Sequence, residues 1–186
     1  DTEIVRGLLN KAIEIDENLI DAKLLLGSTY EDVGEYDKAM DIYIPALKQA
    51  KELGDKNGIG ISLNKIGAVH WNKGDYDKAL DDFKKSLAID EELGDKRGMG
   101  YSLNNIGNVY WNKGDYEKAL DFYEKSLVIQ EELGDKRGMG YSLNNIGVVH
   151  NSKGDYEKAL EYYSRALAIR EELGDKDGMG QTLNNV

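Results

Sequence analysis

Apolar and polar positions alternate with helical spacing. Leu103, Ile106, Gly107 and Tyr110 fall on one stripe at 100° per residue, and so do Tyr116, Ala119, Leu120, Tyr123, Leu127 and Val128 further on. Gly114-Asp115 separates the two stripes, and Gly94-Asp95 stands ahead of the first. A glycine closes a helix in a left-handed conformation and an aspartate caps the next one, so the pattern predicts two helices per unit. Each has room for about 18 residues, or about 27 Å. Pro45 is the sole proline, which leaves the regular units without a helix breaker. A hairpin with one apolar stripe on each helix cannot bury both alone, so neighbouring hairpins must stack.

Residues 61–100, 101–140 and 141–180 align without a gap. The first pair is identical at 30 of 40 positions and the second at 28 of 40, which establishes the unit. A divergent copy over 21–60 keeps Leu26-Gly27, Tyr30, Gly34-Glu35-Tyr36, Lys38-Ala39, Tyr43 and Leu53-Gly54-Asp55, and residues 9–16 read as the second half of another copy. The expected organisation is one all-α solenoid over 1–186. It comprises a half repeat at 1–19, repeats at about 20–59, 60–99, 100–139 and 140–179, and a truncated start at 180–186.

Ile106-Gly107, Tyr110, Gly114, Tyr116, Ala119 and Tyr123 resemble the L-G, Y, G, Y, A and F of the tetratricopeptide repeat, and the match recurs in all four units. Two features depart from the pattern: the family's first-helix Trp is Leu63, Leu103 and Leu143, and its closing Pro is Glu91, Glu131 and Glu171. The 40-residue unit, against about 34, resembles the long-repeat branch of cell-polarity adaptors of the LGN/Pins type and of bacterial multi-repeat signalling proteins. The resemblance implies a right-handed superhelical solenoid of antiparallel helix hairpins whose first helices line a concave groove. It also implies a non-enzymatic scaffold that binds a protein or an extended peptide.

In that architecture the first-helix positions opposite the apolar stripe are expected to face the groove. They are Tyr101, Asn104, Asn108, Trp111 and Asn112, with counterparts Ile61, Asn64, Ala68, Trp71 and Asn72, and Tyr141, Asn144, Val148, Asn151 and Ser152. Asn64, Asn104, Asn144 and Asn184 recur every 40 residues. Their amides either pair with the backbone of an extended peptide or bridge adjacent helices. Trp71 and Trp111 stand where other units have Asn151 and Glu31, and read as exposed anchors for apolar side chains or as packing onto the neighbouring hairpin. The stripe carries no charge in the regular units apart from Lys65 at its edge, which argues against a carboxylate clamp. Asp21, Glu31 and Asp32 make one end acidic, so a basic stretch of the ligand is expected there.

Charge narrows the partners. Lys plus Arg is 24 against 35 for Asp plus Glu, a net charge of -11 that disfavours nucleic acid. No apolar run approaches the roughly 18 residues of a membrane span, and there is no Cys, which removes disulfides and thiolate chemistry and leads to a cytoplasmic expectation. The sequence opens without Met and stops inside a repeat, so it reads as part of a longer protein. The alternative function is a structural array stacking end to end, self-associating through Leu8, Leu9, Leu183 and Val186 at the cut repeats. His70 and His150 replace Tyr110 on the core stripe, too far apart for a zinc site, and Ser62, Ser102 and Ser142 lack a base. Gly98-Met99-Gly100 follows a helix and lacks the phosphate-loop lysine, so its glycines are expected to allow close helix approach. No catalytic residue, metal or cofactor is expected.

Overall fold

A computed structural model describes residues 2–186. Their regular structure is helical throughout: α1 (Thr2–Ile15), α2 (Ile20–Glu31), α3 (Tyr36–Leu53), α4 (Lys56–Asn72), α5 (Tyr76–Leu93), α6 (Lys96–Asn112), α7 (Tyr116–Leu133), α8 (Lys136–Ser152), α9 (Tyr156–Leu173) and α10 (Lys176–Asn185). They group into two compact units that part between Gly94 and Asp95.

In the first unit α2 pairs with α3 and α4 with α5, while α2 and α4 lie side by side. Ile20, Leu24, Tyr43, Ala46, Ile66 and Val69 form its core. The second unit repeats the plan with α6–α7 and α8–α9, and buries Leu120, Tyr123, Leu127, Leu143, Ile146 and Val149. Each unit is an all-α stack of helix hairpins, as the apolar spacing predicts.

The punctuation works as expected. Gly94 closes α5 at φ +67°, where a side chain would be strained, and Asp95 caps α6 by accepting from the Arg97 and Gly98 amides at 3.0 and 3.1 Å. The helices of this hairpin, α6 and α7, run 17 and 18 residues. Within each hairpin the Gly of the Leu/Ile-Gly pair lies beneath a second-helix aromatic ring. A Cβ on Gly107 would come within 2.5 Å of Tyr123 Cε1, and one on Gly147 within 2.6 Å of Tyr163 Cε1.

One expectation needs correction. Val128 is 53% exposed, because the second-helix stripe turns inward at Ser126 and Gln130 instead. Polar side chains fill that inner flank: Ser126 donates to the Gly100 carbonyl at 2.7 Å, and Gln130 Nε2 donates to Ser126 Oγ at 2.9 Å. Pro45 lies inside α3, on its exposed face, without ending it.

Candidate peptide-binding face

In the second unit α6 is covered by its hairpin partner α7 and on one flank by the next first helix, α8, while α8 packs between α7 and its own partner α9. Only a narrow strip stays open. On α6 it comprises Tyr101, Asn105, Asn108 and Asn112, which lie within about 60° of one another at 100° per residue. Its counterpart on α8 is Tyr141, Asn145 and Val148. Tyr101 and Tyr141 are 45% and 47% exposed, and the asparagines are half-buried.

The strip is held from beneath by hydrogen bonds. Tyr123 donates its hydroxyl to Asn108 Oδ1 at 2.7 Å, and burial pushes that phenol's pKa well up, so it stays a neutral donor. Asn145 Nδ2 reaches Asn108 Oδ1 at 3.4 Å and Asn104 Oδ1 at 3.5 Å, and Asn112 donates to the Asn108 carbonyl at 2.8 Å. The amides are thereby fixed in place along an uncharged surface.

The expected ladder sits differently. Asn104 is 8% exposed and Asn144 9%. Asn104 spends both amide protons on Ser126 Oγ (2.9 Å) and Ser142 Oγ (2.7 Å), and Asn144 Oδ1 accepts from Asn185 at 3.2 Å. These two residues bridge helices, the other of the two roles their recurrence allowed. The physical reason is the lateral neighbour: a two-sided wheel treats everything opposite the apolar stripe as open, whereas stacking buries one flank of it. Asn184 is exposed. The residues missed are Asn105 and Asn145, one step along the helix and 100° around it. Their signal was the doubled Asn-Asn ahead of Ile106-Gly107 and Ile146-Gly147.

Trp111 also falls on the covered flank. It is half-buried against the core of α7, α8 and α9, and its indole nitrogen is buried without a hydrogen-bond partner. The expectation of an exposed indole is corrected accordingly.

The first unit presents Ile61, Lys65, Ala68 and Asn72 on α4 in the equivalent strip, with Ile61 and Asn72 the more exposed. Asn64 is half-buried and engaged. Trp71 is half-buried, again with a buried, unbonded indole nitrogen. Asp21 on α2 and Asp32 just past its C-terminus are exposed, while Glu31 accepts a hydrogen bond from the Tyr43 hydroxyl at 2.9 Å.

The histidines are occupied structurally. His70 Nδ1 lies 2.7 Å from Asp82 Oδ2, and burial raises the Asp82 pKa against the opposing pull of that hydrogen bond. His150 stacks on Tyr162 at 5.5 Å, as Tyr110 does on Phe122 at 5.4 Å. Among the described residues no three His, Cys, Asp or Glu side chains gather to hold a metal, and no helix is long and apolar enough to cross a membrane.

The tetratricopeptide-repeat family model matches residues 18–92, 98–172 and 138–186, and the chain belongs to that family. No curated protein matches it. Solved structures are similar in fold. BtubC from P. vanneervenii shares 23% identity at a TM-score of 0.80, covering 99% of this chain and 78% of that one. A Rap protein complexed with Competence and Sporulation Factor shares 18% at 0.87, covering 93% and 49%. A STAND signal-transduction ATPase with a tetratricopeptide repeat sensor, from Pyrococcus horikoshii, shares 22% at 0.80, covering 98% and 30%. The chain thus spans half or less of the Rap and STAND chains.

Proposed function

We propose that the chain is a non-enzymatic protein-interaction module that takes an extended peptide segment of a partner along the strip of α6 and α8. The observation that carries this is the strip itself: two exposed tyrosines beside amides already oriented by Tyr123, Asn104 and each other. Oriented amides offer a donor and an acceptor to peptide backbone at little further entropic cost, and flanking tyrosines supply rigid apolar area. Absence of charge on the strip favours backbone and apolar contacts over capture of a charged terminus. A Rap protein of this fold is complexed with Competence and Sporulation Factor, which is consistent with a ligand-binding role.

On the first unit, exposed Asp21 of α2 and Asp32 at its C-terminal end favour a basic stretch of ligand there, with Ile61 and Asn72 of α4 as the neighbouring contacts. The test is a peptide-array screen of wild type beside Tyr101→Ala/Tyr141→Ala. Loss of the bound peptides in the variant, with helicity unchanged by circular dichroism, supports the strip. Identical binding profiles, or no peptide bound by wild type, would rule it out.

A further inference from the structure

The second unit carries another surface, at the turns where α7 meets α8 and α9 ends. Leu133 and Leu173 are each 45% exposed there, and with Arg97 and Arg137 they line a shallow hollow of about 500 Å³. The other charged groups of the hollow are already engaged. Asp135 caps α8 through the Gly138 amide at 3.1 Å, and Lys136 pairs with Glu172. Lys96 nearby pairs likewise with Glu132 at 2.7 Å. The Arg97 and Arg137 guanidinium groups have no ion-pair or hydrogen-bond partner among the described residues.

Two unpartnered guanidiniums are a local exception in a chain of net charge -11. They are also specific to this place: the preceding lysine recurs in every repeat as Lys56, Lys96, Lys136 and Lys176, but the residue after it is Asn57 in one copy and Asp177 in another. A requirement of the fold would recur with the lysine; the arginines do not. Guanidinium is the side chain best suited to grip carboxylates in two-point geometry.

We propose that this hollow docks an acidic segment of a partner protein bearing a bulky apolar side chain. The apolar group seats between Leu133 and Leu173, and two carboxylates reach Arg97 and Arg137. Those arginines occupy equivalent places on neighbouring helices, which pack about 10 Å apart, so carboxylates two or four residues apart on one face of an extended segment, about 7–13 Å, reach both. The surface adjoins the end of the uncharged strip, since Arg97 and Arg137 stand one helical turn before Tyr101 and Tyr141, but its guanidiniums select a charged ligand that the strip does not.

The probe is a fluorescein-labelled peptide of glutamates around a central leucine, with matched peptides carrying lysine for glutamate or serine for leucine. Anisotropy titrations use wild type, Arg97→Glu/Arg137→Glu and Tyr101→Ala/Tyr141→Ala, each checked by circular dichroism. The expected result is binding of the acidic leucine peptide by wild type and by the tyrosine variant. Affinity should fall at least about tenfold on charge reversal of the arginines and for either altered peptide. No binding by wild type up to about 1 mM, or equal binding by the arginine variant, overturns the proposal. So does loss in the tyrosine variant, which would put the peptide on the strip, or undiminished affinity for the serine peptide, which would remove the apolar seat. Concentration-dependent dimers that the arginine variant abolishes would make the occupant a second copy, and would overturn the partner assigned here.

Discussion

Two glycines on α6 should respond to the same substitution with opposite signs. A methyl group at Gly107 would stand 2.5 Å from Tyr123 Cε1, 2.6 Å from Cδ1 and 3.1 Å from Cζ. Carbon pairs rest at roughly 3.5–4.0 Å, so the ring would have to retreat by about 1 Å. Tyr123 is only 2% exposed, and its hydroxyl is tied to Asn108, so it has little room. Overpacking costs about 1–3 kcal/mol, strain on the Tyr123–Asn108 bond up to about 1 more, and the gain in helix propensity returns about 1. Gly107→Ala should therefore destabilise the protein by up to about 3 kcal/mol. At Gly100 the nearest atom to an added Cβ is Gln130 Cγ at 3.7 Å, an ordinary contact. There the propensity gain is unopposed, and Gly100→Ala should stabilise by up to about 1 kcal/mol. Urea unfolding followed by far-UV circular dichroism, with the slope checked for constancy, measures both. A Gly107→Ala protein as stable as wild type, or a Gly100→Ala protein as damaged as Gly107→Ala, would refute the packing argument.

Asn104→Ala should cost about 1–3 kcal/mol, since it leaves buried Ser126 and Ser142 short of partners, and urea midpoints would show it. Asp135→Ala removes the acceptor for the Gly138 amide and should cost about 1 kcal/mol in the same assay, with Asp135→Asn recovering most of it. Burial raises the pKa values of Tyr43 and Tyr123. Because the folded values lie above the unfolded one, the stability they contribute is intact below pH about 10 and falls as pH rises beyond it. Unfolding midpoints against pH should therefore drop in alkali, and Tyr123→Phe should make the drop shallower; parallel curves would contradict this.

The hairpins and their ends were legible because glycine and aspartate have few other reasons to recur as Gly94-Asp95 and Gly134-Asp135. The apolar stripe of α6 was legible as well: Leu103, Ile106 and Gly107 are all buried. What could not be read was the cover supplied by the next first helix. It turns Asn104 and Trp111 from open positions into flank positions and leaves Tyr101, Asn105, Asn108 and Asn112 as the strip. Ser126, Ser142 and Gln130 were hidden for a related reason. Polar residues ordinarily read as surface, and only their mutual hydrogen bonds permit their burial between helices.

The most direct test of the peptide-binding strip uses the absence of cysteine from the sequence. Asn112→Cys places a single fluorophore on the strip of α6, and Glu124→Cys places one on the exposed side of α7. With a peptide taken from the array, the label at position 112 should show a saturable spectral change and the label at position 124 none. A response at 124 with silence at 112 would contradict this and move the ligand to the outer helices.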